Sequence, residues 1–288
     1  MINLINIDDL ESKDIYNIIT DNVENKILNK IIGLLFEKPS TRTKTSFISS
    51  IHQLGCQFID FKKDDLNLSR DESLEDTAKA LNCYIDGLIV RTDDHSKIIK
   101  INENFDKPII NALSDLSHPC QGLSDLNYLF KYFGKLEFNI VWMGDITNVC
   151  LSILDCIKKI DKIKISIISH PDIISNHEKR YSDFKNINFF SNVEAIILNE
   201  ASCVMTDVFI SMNDIYSEDK IEKLLKYQVN KSIFEKVNKN CIFMHCLPAK
   251  IGFEVSESIL NSDKSHVWQQ AKNKMYNQKT ILQYINWT

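Results

Sequence analysis

A succession of short apolar runs, most of them followed by a polar turn and a stretch of helical periodicity, limits what this chain can fold into. The runs fall at residues 31–36, 56–61, 88–91 and 108–112, then at 138–143, 163–168, 187–190, 203–208 and 241–245. Strands separated by helices need crossover connections, and crossovers build parallel sheets with helices over both faces. The two sets of runs predict two doubly wound parallel-sheet α/β domains, residues 1–134 and 135–266, with the boundary near Gly134. The remaining segment, 267–288, is strongly helical over 268–284 and is expected to pack back on the first domain. Ligands of open parallel sheets bind outside the carboxyl ends of the strands. The turns after these runs, and a cleft between the two domains, are therefore where an active site is expected.

The turn after the first run is the richest: Phe36-Glu37-Lys38-Pro39-Ser40-Thr41-Arg42-Thr43-Lys44-Thr45-Ser46-Phe47. Pro39 breaks the strand, Ser40 and Thr41 can cap a helix, and Phe47, Ile48 and Ile51 carry that helix towards Gly55. Unpaired backbone N–H groups, hydroxyls and the Arg42 guanidinium then converge on one small volume, which suits a phosphate. Composition sharpens the point. Lys and Arg together number 34, yet only Arg42, Arg70, Arg91 and Arg180 are arginine. Where arginine persists in so lysine-rich a chain, a planar two-pronged donor is the natural reason. Arg42 and Arg91, the latter closing Gly87-Leu88-Ile89-Val90, stand in such contexts; Arg180 does not.

Other polar clusters follow later runs. His118-Pro119-Cys120-Gln121 starts a helix after residues 108–112, so His118 and Gln121 can both donate to a carbonyl oxygen. Asp145-Ile146-Thr147-Asn148 reads alone as a helix cap. Thr206-Asp207-Val208-Phe209-Ile210-Ser211-Met212 and Met244-His245-Cys246-Leu247-Pro248 end two further strands, and a cysteine so placed is open to pKa tuning. The eight cysteines form no CxxC pair and read as reduced thiols, mostly core filler. A net charge of −5 argues against nucleic acid or an anionic membrane as a bulk partner. The N-terminus has no signal-peptide pattern, so a cytoplasmic protein is expected.

Taken together, these motifs resemble the aspartate/ornithine carbamoyltransferase family over essentially the whole chain. The resemblance implies that Ser40, Thr41 and Arg42 grip the phosphate of carbamoyl phosphate, while Thr43, Arg91, His118 and Gln121 polarise its carbonyl. The His-Cys-Leu-Pro element is similar to the ornithine branch of the family, and it implies carbamoyl phosphate contacts from Cys246 and Leu247. By the same resemblance Asn148 holds the α-carboxylate of ornithine, and Asp207, Ser211 and Met212 its α-amino end. Arg91, His118, Asp207 and Cys246 are the implied catalytic set. The implied reaction gives citrulline and phosphate, needs no metal or organic cofactor, and proceeds in a homotrimer with shared sites. Asn67 or Arg70, in the loop before Ser73, is the implied contact to a neighbouring subunit.

Three positions depart from the pattern. Lys274 stands where the family has an arginine that contacts carbamoyl phosphate, Lys44 replaces the second arginine of the opening motif, and Asn213 replaces a glycine. Competing expectations are a carbamoyltransferase for putrescine, or a decayed paralogue that only binds carbamoyl phosphate. A nucleotide-binding protein is disfavoured, because no GxGxxG or Walker sequence occurs.

Overall fold

The computed structural model describes residues 3–24, 26, 28–62, 72–211 and 216–287. The chain divides into two compact units: Met1–Asn127 together with Asn273–Thr288, and Tyr128–Lys272. Met212 and Asn213, like Asn67 and Arg70, lie outside the described residues.

After a 3-10 turn at Ile7–Asp9, the first unit runs α1 (Ser12–Ile19), β1 (Ile31–Phe36), α2 (Thr41–Gln53) and β2 (Gln57–Phe61). Helix α3 (Leu74–Asn82), β3 (Gly87–Arg91), α4 (His95–Asn102) and β4 (Ile109–Leu113) complete its sheet. The strands are parallel in the order β2-β1-β3-β4. Helix α5 (Pro119–Phe133) follows, and its first half belongs to this unit. In α2 the buried residues are Thr43, Phe47, Ser50 and Ile51. That i, i+4, i+7, i+8 stripe docks the helix on the sheet, with fully buried Phe47 contributing about 1.5–3 kcal/mol.

The second unit runs β5 (Asn139–Met143), α6 (Asn148–Ile157), β6 (Lys164–Ile168), α7 (Pro171–Ser175), α8 (Glu178–Tyr181), β7 (Ile187–Phe190), α9 (Ala195–Asn199) and β8 (Cys203–Thr206). Helices α10 (Glu218–Leu225) and α11 (Lys231–Phe234), strand β9 (Ile242–His245), and α12 (Glu257–Leu260) follow. Its five strands are parallel in the order β7-β6-β5-β8-β9. Val141, Met143, Val204 and Phe243 join Phe209 and Val255 in one core. The last helix, α13 (Val267–Tyr284), ends in the first unit. There the Ser50 hydroxyl donates to the Met275 carbonyl at 2.7 Å, and the Asn277 amide donates to that of Ile18 at 3.1 Å.

Both sheets are thus the parallel α/β type that the alternation predicts. Three local details differ. The run 203–208 leaves the sheet after Thr206, which frees the backbone at Asp207 to turn. The apolar stretch 149–160 reads as one helix, but α6 ends at Ile157. Helices α7, α8, α11 and α12 have no counterpart in the sequence expectations, because four or five residues are too few to display a 3.6-residue period. Helix α10, with eight residues, was missed as well. No helix among the described residues is long and apolar enough to cross a membrane.

Candidate active site

In each sheet the strand order reverses once, between β1 and β3 in the first unit and between β5 and β8 in the second. Such reversal points open a crevice at the strand carboxyl ends, because the crossovers on either side depart in opposite directions. The polar residues singled out in the sequence gather there.

In the first unit, Ser40 caps α2 and accepts from the Lys44 N–H at 3.3 Å. Arg91, the last residue of β3, donates from Nη1 to the Ser40 hydroxyl at 3.2 Å, so this pair bridges the reversal point. Thr41 and Arg42 are exposed in the first turn of α2, and Thr43 is buried beneath them. Burial, and then the nearby Arg42 charge, lower the affinity of Arg91 for its proton. His118 lies just before α5 and is buried. Burial, followed by the charges of Lys274 and Arg91, pushes its imidazole well below the ordinary value, so the neutral ring is favoured.

Lys274 is buried too, although it is a lysine on α13. Its ammonium donates to Thr43 Oγ1 at 2.8 Å and to Gln121 Oε1 at 2.7 Å. An ammonium can only donate, so the Gln121 atom facing it must be the oxygen. The Gln121 amide nitrogen then donates to Asp125 Oδ1 at 2.8 Å, one turn further along α5. Gln121 therefore turns an acceptor towards Lys274, where the sequence suggested a donor for a carbonyl. Asp125 was not singled out in the sequence; its i+4 spacing from Gln121 was the available signal. Lys44 has a different fate. It pairs with Asp60 at 2.6 Å and lies over the Phe36 ring at 5.6 Å, on the flank of α2.

In the second unit, Asp207 follows β8 directly and is buried. Its Oδ1 accepts from the Val208 N–H at 2.8 Å and from the Cys246 thiol at 3.1 Å, while Oδ2 accepts from the Thr147 hydroxyl at 2.9 Å. Cys246 follows β9 and is half-buried, as is Leu247, whose φ of +56° is a left-handed conformation that costs a non-glycine residue. The corner is held from behind by His245, whose Nδ1 accepts from the Leu247 N–H at 2.8 Å and whose Nε2 faces Glu254 Oε1 at 3.2 Å. Asn148 is half-buried at the first position of α6, and Ser211 is half-buried after β8. Asp145, also buried, pairs with Lys220 at 2.8 Å. Gly144 turns the chain between β5 and this cluster with φ +101°, and a Cβ there would lie 2.6 Å from the Phe209 ring.

Ligand atoms of Asp207, His245 and Cys246 lie within 4.8 Å of one another, which raises the question of a metal. Both ring nitrogens of His245 already face partners, and the thiol is spent on the carboxylate, so the donor set is organised for hydrogen bonding. Of the remaining cysteines, Cys120 and Cys150 are fully buried and their thiols are pushed up, the former to about 12. They are inert core residues.

Two parallel-sheet units with polar clusters at their strand ends make a two-unit α/β enzyme, and comparison with known proteins says of which family. The profile of the aspartate/ornithine carbamoyltransferase carbamoyl-P binding domain matches residues 3–131, and that of the Asp/Orn binding domain matches residues 136–285. The chain belongs to the aspartate/ornithine carbamoyltransferase family. Among its relatives, the ornithine carbamoyltransferase of Hydrogenovibrio crunogenus is 36% identical, over 89% of this chain and 85% of that one. That of Methanococcus aeolicus is 34% identical over 98% of both. The solved structure of ornithine carbamoyltransferase from Pyrococcus furiosus superposes with a TM-score of 0.85 at 28% identity, covering 97% of this chain and 95% of that one. The anabolic enzyme from Campylobacter jejuni gives the same score and identity over 98% of both chains.

Proposed function

We propose that this protein is an ornithine carbamoyltransferase, which transfers the carbamoyl group of carbamoyl phosphate to the δ-amine of L-ornithine and releases L-citrulline and phosphate. The observation that carries the reading is the buried Asp207 carboxylate holding the Cys246 thiol, in a chain whose near full-length relatives bear that name. It complements a cationic cradle suited to a doubly charged phosphate. On this reading the carbamoyl phosphate unit comprises residues 1–134 with 267–288, and the ornithine unit residues 135–266.

Ser40, Thr41 and Arg42 take the phosphate, at a helix N-terminus whose free N–H groups favour an anion. Negative charge grows on the carbamoyl oxygen and on the bridging oxygen as the C–N bond forms, so donors already aimed there lower the barrier. Arg91, Thr43 and neutral His118 serve the carbonyl oxygen. Gln121, with its oxygen turned to the site, accepts from the carbamoyl NH2, and Lys274 adds a charge between the two groups. Cys246 and Leu247 are further contacts to carbamoyl phosphate. Asn148 holds the α-carboxylate, and Asp207, Ser211 and Met212 the α-amino end.

The attacking amine must be neutral. A lysine-like amine has a pKa of roughly 10.4, so well under a thousandth is nucleophilic at pH 7. Asp207 and Cys246 orient the amine and take part in its deprotonation, and the departing phosphate accepts the proton. The same proposal includes a homotrimer with shared sites, a cytoplasmic location, and a role in arginine biosynthesis. Citrulline formation from ornithine and carbamoyl phosphate tests the reaction, with putrescine as the competing amine. Faster turnover of putrescine would move the assignment to the neighbouring branch. Light scattering of the purified protein tests the trimer.

A further inference from the structure

Thr147 is the residue of the second cluster to which no role has yet been attached. Its hydroxyl does two things at once. As the N-cap of α6 it accepts from the Cys150 N–H at 3.4 Å, and it donates its own hydrogen to Asp207 Oδ2 at 2.9 Å. Both side chains are buried. The contact spans the point where the strand order reverses, tying the turn after β5 to the turn after β8. The same turn delivers Asn148 to the first position of α6.

We infer that Thr147 is a positioning residue that sets the spacing between Asp207 and Asn148, and so makes the site specific for an α-amino acid over a simple diamine. This rests on the ornithine reading above, in which Asn148 takes the α-carboxylate and Asp207 the α-amino end. An α-amino acid presents its two charged groups on one carbon, at a separation with no freedom to adapt. A carboxylate with one oxygen unheld can turn about its Cβ–Cγ bond, and a misplaced partner loses most of the benefit of proximity. The Thr147 hydroxyl removes that freedom by a charge-assisted hydrogen bond away from solvent competition. A diamine has no α-carboxylate, so it gains nothing from the fixed spacing.

Three substitutions separate this role from helix capping. Thr147→Ser keeps both hydrogen bonds. Thr147→Gly leaves a residue that is accepted at an N-cap almost as well as threonine, yet it has no hydroxyl to give to Asp207. Thr147→Val removes both functions with little change of volume. Steady-state kinetics with ornithine and with putrescine, carbamoyl phosphate affinity by calorimetry, and thermal melting are measured on each. The expected result is that Ser stays within about threefold of wild type. Gly and Val lose about tenfold or more in kcat/KM for ornithine, the worth of one hydrogen bond to a charged group, mainly through KM. Carbamoyl phosphate affinity and the low putrescine rate should hold within about twofold, and Gly should melt within a few degrees of the wild type. Gly and Val variants with undiminished ornithine kcat/KM overturn this inference alone. A proportional loss with putrescine overturns it as well, since the hydroxyl then serves only the fold. A wild-type protein that forms no citrulline overturns the ornithine reading, and this inference with it.

Discussion

The cradle of the first unit and the pocket of the second face opposite electrostatic problems. The cradle sets Arg91 and His118 beside Arg42 and Lys274, and burial first, then the neighbouring charges, makes both hold their protons less firmly. The pocket of the second unit is built around the Asp207 carboxylate, which already has three donors from Thr147, Val208 and Cys246. It is satisfied before any ligand binds. The contrast teaches that the first site offers an anion several donors at once, whereas the second gains specificity by holding one group still.

Removing that carboxylate should therefore do the most damage. Asp207→Asn is expected to cut citrulline formation by about a hundredfold or more, since a neutral amide neither attracts the ammonium nor takes part in its deprotonation. Calorimetry should find carbamoyl phosphate binding almost unchanged. Loss of both ligands together would mean that Asp207 supports the fold, and the contrast between the sites would collapse.

The cradle shares its work among several groups, so single changes there should cost less. Arg42→Lys keeps the charge and loses the fork; kcat/KM should fall about tenfold, or roughly 1.4 kcal/mol. Near wild-type kinetics would show that charge alone suffices. Lys274→Ala should raise the KM for carbamoyl phosphate several-fold and leave ornithine binding to the free enzyme alone. Lys274→Arg should lower that KM or leave it as it is. An alanine variant indistinguishable from wild type would remove Lys274 from the cradle.

Smaller effects concern stability. His118 in the folded protein takes up a proton only well below its ordinary pKa of 6.5, while the unfolded chain takes one up near that value. Acid therefore favours the unfolded state: the contribution is fully present above pH 6.5 and is lost as the pH falls from there through the folded value. Melting temperatures compared between pH 7.5 and pH 5.5 should drop more for the wild type than for His118→Gln. An equal drop in both would show that the ring is already free to protonate. Smallest of all is Lys44→Ala. The Lys44–Asp60 pair is about a third exposed, so its loss should cost at most about 1 kcal/mol in denaturant melts and leave kcat/KM within about twofold. A large kinetic loss would restore Lys44 to the phosphate site.

The two lysines that stand in place of family arginines show where sequence stops being enough. Both drew notice as departures. Lys44 sits inside the opening motif and Lys274 far from it, yet Lys274 is the one that reaches Thr43, 231 residues away along the chain. Nothing in the local pattern of α2 or α13 states which lysine points into the cradle. That depends on where α13 docks, through contacts such as Ser50 with Met275. Thr147 is similar: its capping role was legible from Asp145-Ile146-Thr147-Asn148, but its bond to Asp207 joins residues 60 apart.

By itself the sequence determined the two parallel-sheet units, the helix that starts at Ser40, and the residue types at the ends of the strands. These follow from short-range physics: apolar period, capping hydroxyls and a proline that breaks a strand. Only the tertiary structure decided how those residues are used. It turned Gln121 by setting it between Lys274 and Asp125, gave Asp207 its three donors, and sent Lys44 to Asp60. The reason is that hydrogen bonds and ion pairs act over a few ångströms, and which groups come within that distance is settled by packing between elements far apart in the chain.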